Sequence, residues 1–171
     1  MVRKTRRHRN KLRKQKGGRM YSVYYPNIDI KFEKRLPVSF PALAQRPLDG
    51  STFPLDKVQD QPNITWNIVQ NSGTFYSYMC FDPDSSAPMW MHMLVVNCST
   101  PSLDSGTTLL EWAPPSPPPG TGTHRYIFAL YKHSYPVNTS AVIQRGSFDL
   151  HEYLNKNGFI PVAGNSMKVV S

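Results

Sequence analysis

Proline interrupts this chain often enough to leave little room for long helices. Sixteen prolines fall among 171 residues, and each fixes its own backbone angle and removes a hydrogen-bond donor. Between them lie short apolar runs rich in aromatic and β-branched residues, which suit a pleated, half-buried surface. Residues 21–25, 28–32, 64–68, 74–81, 91–96, 107–112 and 126–131 are predicted strands. Asn71-Ser72-Gly73 predicts a turn that makes an antiparallel hairpin of 64–68 and 74–81. The runs 75–81 and 93–96 are almost wholly apolar, which places them at the centre of a sheet. One short helix is predicted at 149–157, with Ser147 or Asp149 as its cap, Glu152 in its first turn and Gly158 as its stop. The expected class is all-β with one accessory helix.

Charge divides the chain in two. Of twenty Lys and Arg residues, ten fall within residues 1–19 beside no acid, which leaves ten basic and eleven acidic side chains for the rest. The net charge of +9 therefore belongs to an arm, and residues 20–171 form a single near-neutral domain of ordinary size. The arm has almost no apolar content and ends in Gly17-Gly18, so nothing offsets the entropy of ordering it, and a flexible arm is expected. Through residues 3–19 it suits nucleic acid, an anionic membrane or an acidic protein surface, bound by counterion release. It also suits attachment to a large assembly such as a virion.

No apolar leader follows the basic residues, and no run of 18 apolar residues occurs. The expected location is accordingly cytoplasmic, nuclear or virion-associated, not secreted. On the same ground the sequons at Asn63, Asn97 and Asn138 are read as accidental. Cys80 and Cys98 sit in or beside strand-like runs, as buried free thiols do, although sequence alone leaves a disulfide open.

The chemistry concentrates in three segments. Asp82-Pro83-Asp84 follows a central strand, so its carboxylates belong at a sheet edge, where Asx-turn capping is the competing role. In Trp90-Met91-His92-Met93-Leu94, strict alternation puts Trp90, His92 and Leu94 on one face and Met91 and Met93 on the other. His92 can then donate into a pocket while a carboxylate holds its other nitrogen, or it can be a satisfied core residue. His124, Tyr126 and Phe128 share a face, whereas Arg125 points away and can pair with an acid outside the pocket. Gly120 and Gly122 would let backbone N–H groups approach an oxyanion. The run Pro114-Pro115-Ser116-Pro117-Pro118-Pro119 is read as a stiff loop crossing the end of a sheet.

Two histidines and two aspartates without HxH or HExxH spacing make a poor metal set, and no serine or cysteine has the setting of a nucleophile. Neither metal, cofactor nor catalysis is expected. The expected function is binding of an anionic or phosphorylated small molecule. Imidazolium would supply the positive charge, its pKa raised by the carboxylates.

At these residues the chain resembles the phosphatidylethanolamine-binding protein family, which includes the Raf kinase inhibitor protein, over roughly residues 36–165. The likeness rests on Asp82-Pro83-Asp84 with Ala87-Pro88, on Trp90-Met91-His92-Met93-Leu94-Val95-Val96-Asn97, and on the run from Pro117 through Gly120 to Tyr126. Pro62-Asn63-Ile64-Thr65-Trp66 and Pro161-Val162-Ala163-Gly164-Asn165 add weaker matches. The resemblance implies an antiparallel β-sandwich with a Greek-key core. It also implies a pocket for phosphate, phosphorylethanolamine and similar groups, whose rim regulates or inhibits protein partners, with no established enzymatic activity. Carried over by residue, the ligand would meet Asp82, Asp84, His92, His124 and Tyr126, with Trp90, Ala87, Pro88 and Gly120 around the mouth. The chain departs from the family where Ser85-Ser86 opens the Asp-Pro-Asp-Ala-Pro motif, and where Pro114 and Ser116 replace glycines that border the pocket in mammalian members.

Overall fold

The computed structural model describes residues 21–25, 28–44, 48, 50–67, 73–87 and 89–171, with side chains from Ile30 onward. The basic arm expected at 1–19 lies outside the described residues, as do Asn71, Ser72 and Pro88. In chain order the elements are β1 (Tyr21–Tyr25), β2 (Ile28–Phe32), β3 (Lys34–Arg35), β4 (Val38–Ser39), β5 (Asn63–Ile64), β6 (Phe75–Asp82), β7 (Trp90–Cys98), β8 (Thr107–Leu110), β9 (Thr123–His133), α1 (Leu150–Lys156) and β10 (Ile160–Val170).

Six strands form the main sheet in the order β3-β10-β9-β6-β7-β8, while β1-β2 and β4-β5 are small separate ladders. All pairings in the main sheet are antiparallel except β3 with β10. Strands β6, β7 and β8 run as a meander, and the chain then returns to lay β9 against β6, which is the Greek-key order. The return connection is the proline-rich segment 111–122. Its restricted backbone angles favour an extended course over the sheet's end. Gln59 fastens it, donating from Nε2 to Pro115 O at 3.2 Å and accepting from Trp112 Nε1 at 2.9 Å.

The sheet is buried on both faces, which explains why β6 and β7 read as continuous apolar runs instead of alternating. On one face Tyr76, Tyr78, Met93, Val95, Phe128 and Leu130 pack against Val38, Phe40, Phe53 and Trp66 from the β4–β5 side. On the other, Met79, Phe81, Met91, Leu94 and Tyr131 pack against Ile30 and Phe32 of β2, Leu150 of α1 and Phe159. Each such side chain contributes roughly 1.5–3 kcal/mol on burial, so two covered faces outweigh the loss of any polar edge. The helix forms where the sequence predicts it. Asp149 is its cap, its Oδ1 accepting from Glu152 N at 2.8 Å. Cys80 and Cys98 are free and buried.

Two expectations about the strands are corrected, and one strand was missed. Among the described residues, the segment predicted as a strand at 64–68 is β only at Asn63–Ile64, and it pairs with Val38–Ser39. Its described residues do not make the predicted pairing with β6, whose two edges are taken by β7 and β9, and Asn71-Ser72 of the predicted turn lie outside the described residues. Eleven-residue β10 was not predicted at all, since Pro161, Gly164 and Asn165 imitate turn signals. Gly164 is there for packing: a Cβ at this position would overlap the ring of fully buried Phe32.

Strict alternation also fails in β7. Cys80 pairs with Met93 and its neighbour Phe81 pairs with Met91, leaving His92 as the extra residue of a β-bulge. Met93 consequently packs on the same side as Tyr126, while Met91 and Leu94 join the opposite core.

Gly164→Ala is expected to destabilise the protein by about 1–3 kcal/mol through overpacking, read as a lower urea midpoint at unchanged slope. Adding Phe32→Leu should recover part of the loss, and an unshifted midpoint in the single variant would contradict the close approach.

Candidate functional site

Strand β6 ends, and β7 and β9 begin, at the same end of the sheet, because the three neighbours are antiparallel. That end carries Asp82, Trp90, His92, His124 and Tyr126, and the proline-rich return runs across it. Between them is a hollow of about 250 Å³. Its floor and sheet-side wall are Asp82, His92, His124 and Tyr126. Trp90, Ser85 and Ser86 line one side, and Pro114, Ser116, Pro117 and Pro118 line the other. The prolines wall the hollow without filling it.

Asp82 is buried, and its two oxygens are used differently. Oδ1 accepts from Asp84 N at 2.7 Å in the local turn, and Oδ2 lies 2.7 Å from His124 Nδ1. Burial raises the Asp82 pKa, with His124 and the Asp84 N–H opposing the rise. The other ring nitrogen of His124 lies 2.8 Å from Thr121 Oγ1, whose own proton goes to Pro118 O at 2.7 Å. Both nitrogens of His124 are thus committed within the protein.

His92 sits at the bulge, which turns it beside Tyr126 at 4.9 Å between ring centroids and beside Trp90 at 4.7 Å. Its Nδ1 donates to Ala113 O at 2.6 Å, and Ala113 N donates back to His92 O at 2.8 Å. A backbone carbonyl, not the expected carboxylate, therefore sets the tautomer. Burial pushes the His92 pKa down to about 4, and the charges of Arg145 and His124 push the same way. Tyr126 is raised above its ordinary value, first by burial and then by Asp82. The expectation that carboxylates would raise an imidazole into a cation facing the ligand does not hold for His92. Desolvation outweighs the distant negative charge.

Arg145 supports the bulge and was missed in the sequence, where it stands in a loop between glutamine and glycine. Its Nη1 donates to Met91 O at 2.9 Å and to His92 O at 3.0 Å, its Nη2 donates to Glu111 O at 2.8 Å, and its Cζ lies over the Trp90 ring at 5.5 Å from the centroid. The adjoining Gly146 lets this segment press against Ala87 and Trp90.

The other expected site residues lie elsewhere. Asp84 does not line the hollow: Arg125 donates to it from Nε and Nη2, both at 2.7 Å, and from its backbone N at 2.9 Å. Burial alone would raise Asp84, but this bidentate grip holds it below the ordinary carboxylate range. Ala87 does not line the hollow, and Pro88 is outside the described residues. Gly120 is exposed and also off the hollow. The N–H of Gly122, expected to face an oxyanion, donates to Ser171 Oγ at 3.0 Å. Ser85, Ser86 and Ser116, the departures from the family pattern, supply wall hydroxyls in their place. Ser85 Oγ accepts from Ala87 N at 3.3 Å, which leaves its own proton to donate.

Among the described residues no three His, Cys, Asp or Glu side chains cluster as a metal set. Ser77 Oγ and His133 Nε2 meet at 2.8 Å, but both residues are sealed in the core. Burial also pushes the Cys98 thiol up to about 11.

The sequence model described as phosphatidylethanolamine-binding protein matches residues 43–166. Among solved structures the fold is similar to a carboxypeptidase Y inhibitor complexed with its cognate proteinase, with TM-score 0.69 and 21% identity over 82% of this chain and 84% of that one. It is also similar to a phosphatidylethanolamine-binding protein from Plasmodium vivax, with TM-score 0.65 and 18% identity over 80% of this chain and 85% of that one. A 26 kDa secreted antigen of Toxocara canis is 30% identical over 96 residues, spanning 53% of this chain and 36% of that protein's length. This relative corrects the expected location. A protein sharing this stretch is a secreted antigen, so the expectation of a cytoplasmic or nuclear, non-secreted protein is overturned. The dismissal of the sequons at Asn63, Asn97 and Asn138 rested on it and falls with it.

The pKa of His92 sets a pH dependence of stability. Folded His92 titrates near 4 against an ordinary 6.5, so between those values the unfolded chain binds more protons. Its contribution is whole above pH 6.5 and is lost as pH falls toward 4, by up to about 3 kcal/mol. The urea midpoint of the native protein should fall more steeply across that interval than that of His92→Gln. Parallel curves would contradict a buried neutral imidazole.

Proposed function

Because the chain belongs to the phosphatidylethanolamine-binding protein family, we propose that its hollow binds phosphate or phosphorylated small molecules, phosphorylethanolamine among them, and that occupancy regulates a protein partner. The family and fold carry the coarser statement, a small-molecule and regulatory binding role. What supports the finer one is the convergence of Asp82, His92, His124 and Tyr126 from three strands on a hollow of about 250 Å³. That space suits one tetrahedral anion with a short substituent. Around it stand the Tyr126 phenol, the indole N–H of Trp90 and the hydroxyls of Ser85, Ser86 and Ser116, all able to donate to anionic oxygens. Asp82 can in turn accept from a ligand amine or hydroxyl.

The regulatory half of the reading draws on the relative that inhibits a carboxypeptidase. Here the protein-facing surface would be the hollow's rim, where Trp90 and the proline loop stand. Their positions depend on the same bulge and return connection that shape the floor, so ligand and partner would compete or cooperate through shared walls.

Titration of the labelled protein with inorganic phosphate and phosphorylethanolamine should perturb the signals of Trp90, His92 and Tyr126 together. Tyr126→Phe should weaken binding by about tenfold, the loss of one hydrogen bond to a charged acceptor. Failure of both ligands to move those signals at millimolar concentration would sink the reading.

A further inference from the structure

The positive charge nearest the hollow is that of His124, and it is already matched by the Asp82 carboxylate. Among the described residues no Lys or Arg lines the hollow. Arg125, next to His124 in sequence, has its guanidinium on Asp84, and Arg145, behind Trp90, has both terminal nitrogens on backbone carbonyls. His124 is committed on both sides. Beside the donating hydroxyl of Tyr126, the remaining polar atom of the floor is Nε2 of His92. With the proton of Nδ1 on Ala113 O at 2.6 Å, Nε2 presents a lone pair, an acceptor.

An oxygen of a phosphate dianion set against that lone pair would meet repulsion, with the charge of His124 already matched by Asp82. The same oxygen carrying a proton would make a hydrogen bond. We propose that the hollow takes phosphomonoesters as the singly protonated monoanion, with the ligand's own P–OH donating to His92 Nε2. The inference rests on the phosphorylated-ligand reading above and adds the protonation state that the site selects. It distinguishes phosphomonoesters from sulfate esters and phosphodiesters, which carry one negative charge but no acidic proton to donate.

The groups that face His92 are Trp90 on its own strand, Tyr126 and His124 from β9, Asp82 from β6, Trp112 at 6.1 Å between ring centroids, and Arg145 behind the bulge. Of these, Arg145 and His124 disfavour a proton on His92, as does burial. Asp82, whose pKa is raised, is the competing acceptor for a ligand proton, so the test must separate the two.

Calorimetric titrations of the full chain with methyl phosphate, methyl sulfate and dimethyl phosphate at pH 5.5 compare three ligands of one negative charge and similar size. Methyl phosphate is expected to bind at least about tenfold more tightly than the other two, as loss of one hydrogen bond to a buried acceptor implies. Its affinity should then fall by up to about tenfold per pH unit above its second ionisation, near 6, with close to one proton taken up per ligand bound at pH 7.5. His92→Phe keeps a ring but removes the acceptor, and it should erase the preference for methyl phosphate over methyl sulfate. Equal affinities for the three ligands, or a methyl phosphate affinity constant from pH 5.5 to 8, would overturn this proposal and leave phosphate binding intact. Preference kept in a folded His92→Phe variant would overturn it by moving the acceptor role to Asp82. Should that variant not fold, the three-ligand series in the native protein decides. No binding of any ligand at any pH would overturn both this proposal and the reading on which it rests.

Discussion

Strands β6, β7 and β9 are covered on both faces, so the sheet can meet small molecules only at its ends. Antiparallel pairing then decides which residues appear there. The last residue of β6 and the first ones of β7 and β9 share one end, and the Greek-key return crosses it as a proline loop held by Gln59. A hollow at that end is what remains when a stiff crossover spans a sheet edge instead of packing down on it. Asp82, His92, His124 and Tyr126 are functional candidates because burial elsewhere leaves polar side chains this place to gather.

The bulge at His92 is the second element on which the site depends. Without it, His92 and Met93 would lie on opposite faces, and either the imidazole or the methionine would have to leave its place. The extra residue disturbs the ladder, and the freed carbonyls are taken up by Arg145 and Ala113. Arg145 therefore acts on the site through the backbone, as a positioning residue whose charge also discourages a proton on the ring. One guanidinium holding three carbonyls and lying over the Trp90 ring joins the floor, the rim and the return loop into one unit.

Much of this was legible in the amino-acid order, for identifiable reasons. The long apolar runs of β6, β7 and β9 announced central strands, and Asp149 with Glu152 announced the helix. Asp82, His92, His124 and Tyr126 stood out because polar side chains at the ends of apolar strands have few structural excuses. What stayed hidden was set by tertiary contacts. Strand β10 looks like a turn because Gly164 answers to Phe32, from another part of the chain. The bulge has no local signature, so period-two alternation misassigned Met93 and Leu94. Arg125 was expected to find an acid outside the pocket, yet that acid proved to be Asp84, itself expected inside. Arg145 carried no signal at all, since its partners are main-chain carbonyls of β7 and of the return loop.

Charge is where local reading and tertiary structure differ most. Two histidines beside two aspartates suggest imidazolium, but burial and Arg145 leave His92 neutral while Arg125 removes one aspartate from the account. The site becomes one of hydrogen-bond donors around the matched Asp82–His124 pair and the acceptor nitrogen of His92. The most direct test is the nitrogen NMR spectrum of the His92 ring in the unliganded protein at pH 6. A bare Nε2 with a protonated Nδ1 is the predicted result. A proton on Nε2, alone or together with Nδ1, would contradict the account.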